Sequence, residues 1–169
     1  MNTSITTPWH LWAVGIVTLL WNGLGITSYL MTELGQLDAL GMSSSQIAYF
    51  DTFPAWATGF WALGVWGAFL GSILLLARSR FAIHSLAISI VGLVGTTYFQ
   101  RVAIDLPEDM NNPALDAAIW IITFFTLWYA IRMRAQGVPV GYVQLDDWWY
   151  EGRVYEGAVS CVHAWEPRA

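Results

Sequence analysis

The stretch FPAWATGFWALGVWGAFLGSILLLA, residues 53–77, contains no Asp, Glu, Lys or Arg. A helix needs roughly 20 apolar residues to cross a hydrocarbon layer about 30 Å thick, so this run is long enough to span a bilayer. Residues 8–31 and 81–100 are equally free of charge, and so is the shorter run 117–131, which reaches span length with its flanks. Short connections separate the four runs. Together they predict an all-α membrane protein: a four-helix transmembrane bundle over residues 1–136, with spans at about 9–31, 53–77, 81–102 and 113–134. A non-transmembrane tail, 137–169, follows.

Composition agrees with lipid as the surrounding medium. Hydrophobic residues make up 56% of the chain and charged residues only 11%, which places it outside the soluble globular class. The net charge of -5 matters less than where the cations lie relative to the spans. All seven basic residues are arginine. Arg78 and Arg80 lie between spans two and three, and Arg132 and Arg134 follow span four, whereas Arg101 stands at the opposite face. The positive-inside rule therefore predicts a cytoplasmic Arg-rich face and, with an even number of spans, cytoplasmic N and C termini. Glu33, Asp38, Asp51, Asp105, Glu108 and Asp109 then fall in the outer connections. Residues 1–8 carry no basic leader and the first run is span-length, so it reads as a retained span rather than a signal peptide. The sole cysteine, Cys161, excludes an intrachain disulfide and a thiol cluster for zinc or iron–sulfur, and reads as a free, inert thiol.

Local signals fill in the organisation. Trp9, Trp12, Trp56, Trp120 and Trp128 fall near predicted span ends, as an aromatic belt requires, while Trp21, Trp61 and Trp66 lie deeper and read as lipid or packing contacts. Gly35 and Gly41 break the chain after span one, and Ser43 to Gln46 has the form of a capping box opening a short interfacial helix. Asp51 or Thr52 is expected to cap span two, with Pro54 in its first turn. Asn112 and Pro113 open span four, with Asp116 near the positive end of its dipole and Arg132 and Arg134 near the negative end.

In lipid, burying apolar surface gains little, so helices associate through close backbone approach. Ala57, Gly64, Gly67 and Gly71 form a small-residue stripe on span two; Ser85, Ser89, Gly92 and Thr96 form another on span three. The short turn between these spans makes them an antiparallel hairpin, and the stripes are the expected contact. The tail mixes aromatic and acidic residues. Trp148 to Val159, with Gly152 and Gly157, has the pattern of a weak hairpin. Too small to bury a core, the tail reads as an interfacial strap held by Trp148, Trp149 and Trp165 or as a docking arm for a partner subunit, docking being preferred to a mobile tail.

Chemistry-bearing residues within the spans are few. No ionisable residue stands at mid-depth, where one would mark an ion path or proton relay. Thr18, Asn22, Ser28, Ser72, Thr97 and Thr123 are the small polar groups inside. Asn22 is the most costly of these to bury; it reads as an interhelical hydrogen-bonder first and as a substrate-binding residue second. His10 and His84, both near the predicted cytoplasmic ends, are the candidate axial ligands for a haem or a bacteriochlorophyll magnesium, alone or at a shared site. His163 has no ligand partners at a metal-site spacing. The sequence has no nucleophile elbow, phosphate-cradling glycine loop or basic stripe for nucleic acid, so no catalytic residue, metal site or nucleic-acid partner is expected.

LLWNGLG at residues 19–25, leading to Tyr29-Leu30-Met31, and FPAWATG at residues 53–59, leading through a Gly-rich run to Leu74-Leu75-Leu76, resemble a group of small four-span bacterial inner-membrane proteins commonly labelled "sugar transporter". The resemblance covers roughly residues 9–136 and implies a bacterial inner-membrane location. The tail from Val138 onward departs from the group's pattern, which implies an added attachment function. The expectation that follows is a non-catalytic accessory or scaffold subunit of a respiratory or photosynthetic complex, contacting lipid and other membrane-protein subunits. The alternative that the resemblance implies is small-solute transport by an oligomer. A third is peripheral binding of a (bacterio)chlorophyll, a carotenoid or a haem, with His84 or His10 as the ligand to a tetrapyrrole.

Overall fold

The computed structural model describes residues 7–104 and 110–136. The tail, with its expected hairpin, docking arm, Cys161 and His163, lies outside the described residues, as do Asp105, Glu108 and Asp109. Among the described residues five α-helices run in chain order: α1 (Trp9–Glu33), α2 (Ser44–Asp51), α3 (Ala55–Leu76), α4 (Phe81–Tyr98) and α5 (Pro113–Ala135). A 3₁₀ turn, Leu37–Leu40, precedes α2, and α4 continues as a π-helical turn, Phe99–Ala103. Four of these, α1, α3, α4 with its π turn, and α5, are long and apolar enough to cross a membrane. The chain is an all-α, multi-pass membrane protein built as a four-helix bundle.

Helix ends follow from local chemistry. α1 closes in a Schellman motif, with Gln36 N donating to Met31 O (2.8 Å), Gly35 N donating to Thr32 O (3.0 Å) and Gly35 in the left-handed region at φ +64°. α3 closes the same way, Ser79 N donating to Leu74 O (2.8 Å) and Arg78 N to Leu75 O (3.0 Å), but the left-handed position is held by Arg78 at φ +56°. At the start of α2, Ser43 Oγ accepts from Gln46 N and Ser43 N donates to Gln46 Oε1 (2.9 Å), a complete capping box. Asn112 Oδ1 accepts from Leu115 N (3.1 Å) ahead of Pro113, which opens α5. The start of α3 differs from the expectation. Asp51 is the last residue of α2 and Thr52 its C-cap, donating its Oγ1 hydrogen to Tyr49 O (2.6 Å), while Pro54 is itself the N-cap of α3. A residue before proline is driven out of the helical region, so the chain passes from one helix to the next at Phe53-Pro54 and leaves no role at α3 for Thr52.

α3 is the central helix, packed most extensively on α4 and next on α1; α5 packs on α4 and meets α1 only at a few places. At the Arg78 end a buried cluster of Leu11, Leu75, Ala82, Leu86, Tyr129, Ala130 and Met133 joins all four spans. At the other end aromatic rings take over. Phe50 of α2 stacks on Trp61 of α3 (5.4 Å between centroids), Tyr29 of α1 meets Trp61 edge-on (5.2 Å), and Phe53 and Trp56 both meet Phe99. These contacts clamp the short α2 over the ends of α3 and α4, each offset or T-shaped pair contributing about 0.5–1.5 kcal/mol beyond its area.

Candidate functional site

The small-residue stripes of α3 and α4 face each other. A Cβ at Gly67 would stand 2.9 Å from Ser89 N and 3.0 Å from Ser85 O; one at Gly92 would stand 2.6 Å from Phe60 O and 2.7 Å from Gly64 Cα. Ser85 Oγ donates to Gly67 O and Ser89 Oγ to Gly64 O, both at 2.8 Å. Gly71 lies against the Leu86 side chain, and Ala57 is fully buried. Thr96 turns its hydroxyl back to Gly92 O within α4 (2.9 Å). Every member of the stripes is thereby occupied by packing or by a backbone hydrogen bond.

Asn22 links α1 to α3. Its Nδ2 donates to Ala68 O (3.2 Å) and to Ser72 Oγ (2.9 Å), and Ser72 Oγ donates in turn to Ala68 O (3.0 Å). The two histidines have separate surroundings. His10 Nδ1 and the Tyr129 hydroxyl are joined by a 2.6 Å hydrogen bond, whose direction follows the imidazole tautomer, and this pair ties α1 to α5. His84 is exposed on α4 with its ring 6.2 Å from that of Phe81. Among the described residues no group of three or more His, Cys, Asp or Glu side chains is placed to hold a metal ion.

Two concavities stand out among the described residues. An apolar groove of about 600 Å³ runs along the outside of α3 and α4, lined by Trp56, Phe60, Ile90, Val91, Val94, Gly95 and Tyr98. The second, about 130 Å³, lies between α4 and α5 at the end that carries α2, and its lining mixes Leu93, Ile119 and Trp120 with Thr97, Gln100, Arg101 and Asp116. Arg101 pairs with Asp116 through Nη2 and donates to Asn111 Oδ1 through Nη1 (3.2 Å). Tyr49 of α2 sits beside this pocket, 4% exposed, close to the Gln100 side chain, yet no described group meets its hydroxyl at hydrogen-bonding geometry. Burial pushes the Tyr49 phenol above its ordinary pKa, against the opposing pull of Gln100 and Arg101, so it stays protonated and able to donate at neutral pH.

Sequence reasoning missed this pocket. Arg101 stood out only as the one cation on its side of the membrane and Asp116 only as a dipole partner, and nothing in their spacing foretells that they meet. The π-helical turn brings them together, since it turns Arg101 on a pitch different from the α-helix before it. Comparisons with protein-family models, with curated proteins and with solved structures find no match for this chain.

Proposed function

We propose that this chain is a non-catalytic accessory or scaffold subunit of a larger assembly in the bacterial inner membrane, with both termini on the cytoplasmic side. The observation that carries the reading is the apolar groove on the outer face of α3 and α4. The ring of Phe60 lies against the Gly95 backbone in it, and Trp56 and Tyr98 are among its lining residues. A concave apolar wall gives a neighbouring helix or polyene dispersion contacts that fluid lipid tails match poorly, and such packing drives association within a bilayer. Both titratable residues with a ligand's chemistry lie away from the groove, and the small-residue stripes are spent inside the bundle. The orientation rests on Arg78, Arg80, Arg132 and Arg134 at one set of helix ends. Extraction of native membranes in a mild detergent tests the proposal: a stoichiometric partner should co-purify and be lost on Val91→Trp, which fills the groove from an exposed position on α4. Recovery of a free monomer or homo-oligomer alone would contradict it.

A second reading, peripheral tetrapyrrole binding, keeps one supporting observation. The His84 ring is exposed on the outside of α4, where an axial ligand would have to be, whereas His10 is engaged with Tyr129. A visible absorption band in protein from native membranes, abolished by His84→Leu, would establish it; a colourless preparation would remove it.

A further inference from the structure

The pocket between α4 and α5 is polar at one end and apolar at the other, and the gradient runs along the helices. Leu93, Ile119 and Trp120 lie on the mid-bundle side, Thr97 and Gln100 come next, and Arg101, Asp116 and Asn111 are at the helix ends. Eight residues of α4 separate Leu93 from Arg101, so the groove covers about 12 Å along the helix. That length reaches from the headgroup boundary, where the charges stand, through most of one leaflet's hydrocarbon, which is about 15 Å deep. A ligand lying there has a charged head, an uncharged polar waist and an apolar end, which is the build of a glycerophospholipid.

The charges select among phospholipids. Arg101 and Asp116 are 41% and 44% exposed in their side chains and present both signs side by side. A guanidinium has five N–H donors and a carboxylate about four acceptor positions, so among the described residues each keeps capacity after bonding the other and Asn111. A purely anionic head would meet the Asp116 carboxylate, whereas a head carrying both phosphate and ammonium satisfies both partners. Beside them, the buried Tyr49 hydroxyl has lost water and gained no described acceptor, and an unpartnered buried polar group costs about 1–3 kcal/mol unless something supplies one. We propose that this groove is a binding site for an amine-bearing phospholipid of the leaflet next to α2. The phosphate accepts from Arg101, the ammonium donates to Asp116, and the ester region lies by Thr97 and Gln100, the side chain next to the Tyr49 hydroxyl.

Thermal unfolding of the delipidated full chain in detergent tests the site. Added phosphatidylethanolamine should raise the melting temperature by about 4 °C, phosphatidylglycerol by less than half of that, and water-soluble phosphoethanolamine not at all. The double variant Arg101→Gln, Asp116→Asn should lose the preference between the two lipids. Native mass spectrometry of the unmodified chain in an equimolar mixture of the two lipids gives a readout independent of the variants, with ethanolamine-lipid adducts expected to dominate. Equal shifts or equal adducts for the two lipids, a preference that survives the double variant, or a shift reproduced by the soluble headgroup would each overturn the proposal.

Discussion

Single atoms decide the tightest contact in the bundle. Gly92 has the Phe60 carbonyl oxygen and the Gly64 backbone where a side chain would begin, so Gly92→Ala forces α3 and α4 apart. The expected loss is about 1–3 kcal/mol, the usual cost of overpacking, read as a lower melting temperature in detergent. Ser89→Ala gives up only its hydrogen bond to Gly64 O and should cost about 0.6 kcal/mol, the average for such bonds between membrane helices. At Gly59 a methyl group would meet nothing within 4 Å, so Gly59→Ala should be neutral or raise stability by up to about 1 kcal/mol through helix propensity. A ranking in which Ser89→Ala outweighs Gly92→Ala would overturn the view that backbone approach, rather than hydroxyl bonding, holds this seam. The stripe residues were legible in the sequence because small side chains at helical spacing have one physical use in lipid. Tyr49 was not, since a tyrosine in a short loop helix gives no sign that its hydroxyl will be buried without an acceptor.

Helix termini show where local chemistry is enough and where tertiary context intervenes. The capping box at Ser43 and the Asn112-Pro113 start of α5 were readable because both rest on bonds between residues a few positions apart. Asn112→Ala should lower stability by about 1 kcal/mol, with amide exchange quickening first at the start of α5; unchanged exchange there would contradict the cap. The end of α3 hides a conflict that sequence does not reveal. Arg78 occupies a left-handed position that glycine fills in α1, so Arg78→Gly should stabilise the α3–α4 turn by roughly 1 kcal/mol while removing one of the cations that orient the chain. No stabilisation in that variant would mean that the Arg78 bond to Thr7 Oγ1 outweighs the backbone cost. The π turn after α4 was equally hidden, because nothing in Phe-Gln-Arg-Val-Ala distinguishes it from one more turn of α-helix.

At the scale of the molecule, the medium settles the architecture. Charge-free runs of span length could be read directly, since hydrocarbon tolerates few alternatives to a helix whose backbone bonds are all internal. The order of packing around α3, and the grooves left on α3–α4 and between α4 and α5, depends on contacts between residues far apart in sequence and had to be seen. Substituted-cysteine labelling tests the four crossings and their direction together. In a Cys161→Ser background, Ala39→Cys lies between α1 and α2 and Ala135→Cys at the end of α5, both exposed. With a membrane-impermeant maleimide, position 39 should react in intact cells and position 135 only after permeabilisation. Labelling of both positions in intact cells, or of position 135 alone, would contradict a bundle that crosses the bilayer four times with its Arg-rich ends in the cytoplasm.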